Sequence, residues 1–116
     1  IKVTGQSVSP SLVFNDETTP VTFSAVVEQT NPGTISHVHI DLTSVKGGNA
    51  VIMNPVGGNR FECVYNVPAK LLSTDVTNQE YTFFISVSNS NGYFRRKKMP
   101  ILRVANPVYP KAVSAS

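Results

Sequence analysis

Residues 21–27, Val-Thr-Phe-Ser-Ala-Val-Val, alternate between apolar and polar side chains over most of their length. A period of two sends successive side chains to opposite faces of an extended chain, so this pattern predicts a strand with one buried face. Similar alternation recurs in three further stretches, Val38–Leu42, Phe61–Val67 and Tyr81–Val87. The chain therefore repeats one kind of element, the half-buried strand, at intervals along its length.

The amino-acid composition and the positions of turn residues extend this pattern to the whole chain. Valine outnumbers leucine 17 to 5, which favours strands because β-branched side chains pack well on a pleated surface. Turn residues (Gly, Pro and Asn) separate the alternating stretches. We predict seven strands, at residues 7–14, 20–29, 35–43, 50–53, 60–67, 81–88 and 93–104. Pro10 and Pro100 fall inside the first and last of these, which indicates edge positions or a bulge there.

The predicted class is all-β, a seven-stranded antiparallel β-sandwich of the Ig-like or fibronectin-III-like kind, within a single domain. We assign residues 1–104 to the domain and residues 105–116 to a C-terminal linker, because two prolines there block continuation of a strand. No apolar run approaches the roughly 20 residues of a membrane-spanning helix. The sequence begins without the basic and apolar regions of a signal peptide, so either a signal peptide has been removed or the chain is a fragment of a longer protein, and we favour the fragment.

The single cysteine, Cys63, leaves no partner for a disulfide within the chain. It alternates with Phe61 and Tyr65, so we expect it to be a small buried apolar residue and not a reactive thiol. Antibody domains carry a cysteine pair and a buried tryptophan, and this chain has neither. The antibody family proper is therefore excluded.

Four segments of the chain carry a resemblance to a known group of modules: Ile35–Leu42, Ala50–Met53, Phe61–Pro68 and Tyr81–Val87. Together they resemble Ig-like modules of bacterial and archaeal surface and secreted proteins, particularly the X-type domains near cell-surface anchors. The resemblance implies a non-catalytic spacer or interaction unit within a larger exported protein. It also implies an extracellular or cell-surface location, with the periplasm as the other compartment, and neighbouring domains of the same polypeptide as partners.

His37, His39 and Asp41 occupy alternate positions and should project from one outer face, with neighbours about 7 Å apart. Two histidines at this spacing can converge on a transition metal with a carboxylate as a third ligand. The other interpretations are a solvated polar stripe and part of a binding surface. Asp41 alone could instead pair with a basic side chain or a turn amide.

Catalytic patterns are missing from the sequence. It contains no G-x-S-x-G elbow, no facing pair of carboxylates and no glycine-rich phosphate loop before a helix. We therefore expect a protein that is not an enzyme, has no catalytic residue and needs no cofactor.

Basic charge is concentrated in one segment, Arg95, Arg96, Lys97 and Lys98, while the other six basic residues are outnumbered by seven acidic ones. Successive strand residues face opposite ways, so at most two of the four cations can share a surface, and inward-facing ones must reach solvent at an edge. One interpretation is a charged edge that prevents aggregation. The other is a site for an anionic polysaccharide or an acidic protein. Nucleic acid is not expected, since no extended basic stripe exists.

Tyr93 and Phe94 precede these cations and extend the predicted ligand-binding segment to residues 93–98. Exposed aromatic side chains can stack on sugar rings, so a carbohydrate-binding accessory module that recognises an acidic or neutral glycan is the alternative function. Phe84 should point away from the core that Phe83 enters. We expect a neighbouring strand, domain or chain edge to cover it.

Overall fold

A computed structural model of the chain describes residues 1–107. These residues form an all-β fold whose strands lie in three sheets. The strands are β1 (Lys2–Ser9), β2 (Leu12–Phe14), β3 (Thr19–Glu28), β4 (Ile35–Asp41), β5 (Val51–Ile52), β6 (Asn54–Gly57), β7 (Arg60–Val67), β8 (Asn78–Tyr81), β9 (Phe84–Asn89), β10 (Phe94–Lys98) and β11 (Leu102–Ala105). Within the same range the one helical element is a 3₁₀ turn at Thr43–Val45. No helix in residues 1–107 is long and apolar enough to cross a membrane.

Two of the sheets have four strands each. The first has the order β1-β3-β7-β6 and the second the order β10-β9-β4-β5, and all their pairings are antiparallel. The third sheet has the order β2-β11-β8, with β2 parallel to β11. Short links join the second and third sheets, since β8 and β9 are separated by Thr82 and Phe83 alone.

Apolar side chains of both four-stranded sheets belong to one buried cluster. Val21, Phe23 and Ala25 of β3 are fully buried, as are Ile85 and Val87 of β9. The rings of Phe23 and Phe83 meet edge to face, with their centroids 4.9 Å apart. This arrangement is compatible with a β-sandwich, and the alternation seen in the sequence is what fills its interior.

The strand count differs from the seven predicted. The first and last predicted strands are each broken in two near a proline: β1 and β2 flank Pro10, and β10 and β11 flank Pro100. Proline has no N–H to donate, so a ladder is interrupted there. β6 lies between the predicted strands at 50–53 and 60–67, and all of β8 but Tyr81 lies between the predicted strands at 60–67 and 81–88. β6 is exposed along its whole length, so no buried face marks it in the sequence.

Two smaller observations concern the loops and the tail. In the loop after β7, Leu72 is buried and Leu71 packs against the core. β11 ends at Ala105, close to the predicted domain boundary, and residues 108–116 of the predicted linker lie outside the described part of the chain.

Candidate functional site

Strand pairing brings the two candidate sites of the sequence onto one surface. β9 lies between β4 and β10, and Ser86 is paired with His39 on one side and Arg96 on the other. Ser88 is likewise flanked by His37 and Phe94. Paired residues project from the same face of a sheet. We call this surface the outer face, and it consists of His37, His39, Asp41, Phe84, Ser86, Ser88, Phe94, Arg96 and Lys98.

The outer face is small and continues onto β5. Ile52, paired with His39, is 64% exposed and extends the surface by one strand. Strands lie about 4.8 Å apart and rise about 3.3 Å per residue, so four strands and five residues span roughly 14 by 13 Å. A stable protein interface buries about 800 Å² on each partner. The outer face alone is about a quarter of that size. It therefore fits a narrow, extended ligand better than the broad surface of a folded protein.

The four cations of β10 divide between two surfaces, as the strand geometry predicted. Arg96 and Lys98 lie on the outer face. Arg95 and Lys97 are paired with the buried residues Val87 and Ile85, yet both remain exposed. They escape burial because β10 is at the edge of its sheet, where they line a cleft against β1.

We call this cleft the β1–β10 cleft. Lys2, Arg95 and Lys97 contribute three cations to its lining, beside the hydroxyl groups of Thr4 and Thr30. No acidic residue of the described part of the chain lines it. The cleft therefore carries positive charge without an internal counter-charge.

Arg96 is held in place on the outer face. Its guanidinium carbon lies 3.9 Å from the centre of the Phe84 ring, a cation–π contact that also shields the ring. The expectation that a neighbouring strand covers Phe84 is confirmed, and the covering group is this arginine. Stacking restricts the side chain, so less conformational freedom remains to be lost when Arg96 meets a ligand.

Asp41 is engaged in a turn. Its Oδ1 accepts hydrogen bonds from the Thr43 hydroxyl at 2.6 Å and the Thr43 amide at 2.9 Å. These bonds, with the charge of Arg96 nearby, lower the pKa of the Asp41 carboxyl below its usual value. The prediction that Asp41 has a structural task at a turn amide is confirmed.

His37 and His39 lie side by side, with ring centroids 5.4 Å apart. They border a second cleft where the chain passes from β5 to β6, lined also by Ile52, Pro55 and Phe61. Within residues 1–107 no group of three or more His, Cys, Asp or Glu side chains is placed to hold a metal ion. One oxygen of the Asp41 carboxylate, the group considered as a third ligand, is hydrogen-bonded to Thr43.

Asn89 positions Tyr93 and Phe94, the aromatic end of the predicted ligand-binding segment 93–98. The sequence analysis did not assign this role to it. Its Oδ1 accepts hydrogen bonds from the amides of Asn91 and Tyr93, both at 2.9 Å, and its Nδ2 donates to the Pro32 carbonyl at 3.1 Å. The side chain is buried. An asparagine that ends a strand before Ser-Asn-Gly is the sequence signal for such a turn. Its contacts leave Tyr93 45% and Phe94 63% exposed.

Ser86, Ser88 and Ile52 were also missed, because only the register between strands places them beside the predicted residues. Cys63, by contrast, is buried as expected, and that burial raises the pKa of its thiol. Comparison with protein-family models and with curated proteins finds no match for this chain.

Proposed function

We propose that this chain is a non-catalytic, Ig-like interaction module of a larger exported or cell-surface protein, and that the outer face is its binding surface. The strand orders support the Ig-like assignment. The order β1-β3-β7-β6 corresponds to strands A-B-E-D of an Ig domain, and β10-β9-β4-β5 corresponds to G-F-C-C′. The broken strands at Pro10, at Thr82–Phe83 and at Pro100 then count as three single strands, each divided in two.

One observation carries the binding proposal. The register of β9 assembles aromatic, cationic and imidazole side chains on one face of the sheet, where Phe94 is 63% exposed. A spacer has no need for an exposed Phe94 next to a row of cations. Large side chains that stay accessible beside charge are typical of binding surfaces.

Export is proposed from the resemblance to surface and secreted modules. In cells that produce the full-length protein, an antibody against this domain should label intact cells without permeabilisation. Labelling only after permeabilisation would contradict the proposed location.

The binding proposal is tested by photo-crosslinking with a benzophenone amino acid in the full-length protein. Phe94 on the outer face and Val64 on β7 are matched positions, being 63% and 64% exposed. We expect a discrete crosslinked product from position 94 and none from position 64. Equal products from both positions, or none from either, would contradict a binding role for the outer face.

The second candidate is a carbohydrate-binding module, favoured by the exposure of Tyr93 and Phe94 at the end of the same surface. The purified domain would then be retained on a glycan array. Substitution of Tyr93→Ala would abolish that retention, whereas Val64→Ala would leave it unchanged. Absence of retention on every glycan would favour a protein partner.

A further inference from the structure

β10 has one edge paired and one edge open. The Asn89 amide donates to the Tyr93 carbonyl, and the Met99 amide donates to the Phe83 carbonyl at 2.9 Å. Bonded and non-bonded pairs alternate along an antiparallel ladder, so the backbones of Arg95 and Lys97 also face β9. The backbone N–H and C=O groups of the three alternate residues, Phe94, Arg96 and Lys98, face away from the sheet.

No described strand forms backbone hydrogen bonds with this edge, and β1 lies beside it across the β1–β10 cleft. Among the described strands β10 pairs only with β9. Further along, β2 does cover the same side, since it pairs with β11 and Ser11 accepts a hydrogen bond from the Arg103 amide. The open edge is therefore confined to the segment that carries the four cations.

None of these cations forms a salt bridge in the described part of the chain, although the Asp41 carboxylate lies near enough to Arg96 to feel its charge. Within residues 1–107 the one salt bridge joins Arg103 to Glu80. The open edge thus presents backbone groups between two rows of positive charge, Arg96 and Lys98 on the outer face and Arg95 and Lys97 in the β1–β10 cleft.

A second copy of the chain is a poor occupant of this edge. Two β10 strands side by side would place cations opposite cations, which is unfavourable. An extended peptide with acidic side chains satisfies the same edge completely. Its backbone can pair with the outward groups, and its alternating side chains reach both rows of cations.

We propose that β10 is a docking edge for an extended acidic peptide segment of a partner protein, which adds to sheet β10-β9-β4-β5 as a fifth strand. The inference rests on the proposed function, because it names the class of partner that binds at the outer face. Phe94, Arg96 and Lys98 form the rim of that face.

The first test uses a synthetic peptide in which Glu alternates with Val, labelled for fluorescence anisotropy at low ionic strength. The comparison peptide has the same sequence with N-methyl groups on alternate amides, which removes the donors that would face β10. Loss of one backbone hydrogen bond weakens binding by up to about tenfold, and methylation of alternate amides removes more than one. We therefore expect the methylated peptide to bind at least about tenfold more weakly. Equal binding of the two peptides would overturn strand addition.

The second test changes the protein. The Lys98 amide faces outward, so Lys98→Pro removes one donor from the open edge while leaving the bonds to β9 in place. Lys98→Ser removes the same charge and keeps the donor. The peptide should bind Lys98→Pro several-fold more weakly than Lys98→Ser, with circular dichroism confirming that both are folded. If Lys98→Pro fails to fold, the methylated-peptide comparison still decides.

Heparin serves as the third probe, since an anionic polysaccharide needs the charges but not the backbone. The proposal is wrong if two results are found together. Heparin would displace the acidic peptide, and the Lys98→Pro and Lys98→Ser variants would have equal affinities for heparin and equal affinities for the peptide. The edge would then be a site for polyanions in general. Failure of the peptide alone is distinguishable from failure of the proposed function. In that case the crosslinked product from position 94 in the full-length protein would persist.

Discussion

At the scale of single residues, Asp41 takes its hydrogen bonds from the turn that follows its strand. In the sequence it completes a His-x-His-x-Asp stripe that resembles a ligand set. In the structure its carboxylate caps the turn at Thr43. The stripe places three side chains on one face correctly, but it does not contain the turn that follows, and the turn decides what the carboxylate bonds to.

This cap predicts a contribution of Asp41 to acid stability. Because the folded-state pKa is lowered, the contribution is complete above the unfolded value of about 3.9 and is lost as the pH falls through the folded value. Urea midpoints measured at a series of pH values should therefore fall less steeply below about pH 4 for Asp41→Asn than for the wild type. Thr43→Val should raise the Asp41 pKa in an NMR titration. Parallel plots of urea midpoint against pH for the wild type and Asp41→Asn would show that the cap does not contribute to stability.

Asn15 ties three segments together from a buried position. Its Oδ1 accepts the Leu72 amide at 2.8 Å, and its Nδ2 donates to the Leu72 carbonyl and the Asn106 side chain. Asn15→Ala leaves buried polar groups without partners, so we expect a loss of about 2 to 3 kcal/mol in the free energy of unfolding. The control Asn91→Ala removes an exposed bond to Pro32 and should cost under about 1 kcal/mol. Urea denaturation of both variants measures the difference, and equal losses would contradict the role of Asn15.

At the scale of elements, alternation predicted strands well wherever one face is buried. The predicted strand at 60–67 coincides with β7, and the predicted strand at 20–29 differs from β3 by one residue at each end. β6 has no buried side, and Asn54 to Gly57 consists largely of turn residues, so the same signal could not find it. The first five residues of β1 were missed as well, in a strand that a bulge between Thr4 and Ser7 interrupts.

The candidate site was predictable residue by residue but not as a surface. His37, His39 and Arg96 were each expected to be exposed on a strand. That β9 lies between their two strands depends on long-range pairing, and register follows from packing and turn geometry across the whole sheet. The sequence separation of about 57 residues between His39 and Arg96 contains no local signal for their proximity.

The open edge of β10 leads to a prediction about self-association. Unpaired N–H and C=O groups on a strand invite pairing with another chain, and charge is one means of preventing it. Replacing Arg95, Lys97 and Lys98 with Thr lowers the formal net charge from +3 to 0 and leaves the Arg96 stack intact. We expect this variant to form dimers or larger species in sedimentation at concentrations where the wild type is monomeric.

A control variant separates the edge from net charge. Lys2→Thr, Lys46→Asn and Lys70→Asn together make the same change in charge, and asparagine tolerates the left-handed backbone of Lys46 and Lys70. This variant keeps β10 intact and should stay monomeric. Association of the control to the same extent would mean that overall charge, and not the edge, governs solubility.

At the scale of the molecule, the described domain is held by apolar contact between sheets. Its one cysteine is buried and unpaired, so no disulfide crosses the interior. The edge-to-face pair of Phe23 and Phe83 joins β3 of the first sheet to the segment that leads into β9 of the second. If packing between sheets is what holds the two layers in register, these rings should be energetically coupled.

A double-mutant cycle tests that coupling. Phe23→Leu and Phe83→Leu should each lower the free energy of unfolding by about 1 to 3 kcal/mol. The double variant should lose less than the sum by about 0.5 to 1.5 kcal/mol, the usual value of an aromatic pair. Val27 is four residues from Phe23 and thus about 13 Å away along β3, so Val27→Ala with Phe83→Leu should be additive within about 0.5 kcal/mol. Equal coupling in the two cycles would mean that the interior responds as a whole, and the two rings would then have no special part in joining the sheets.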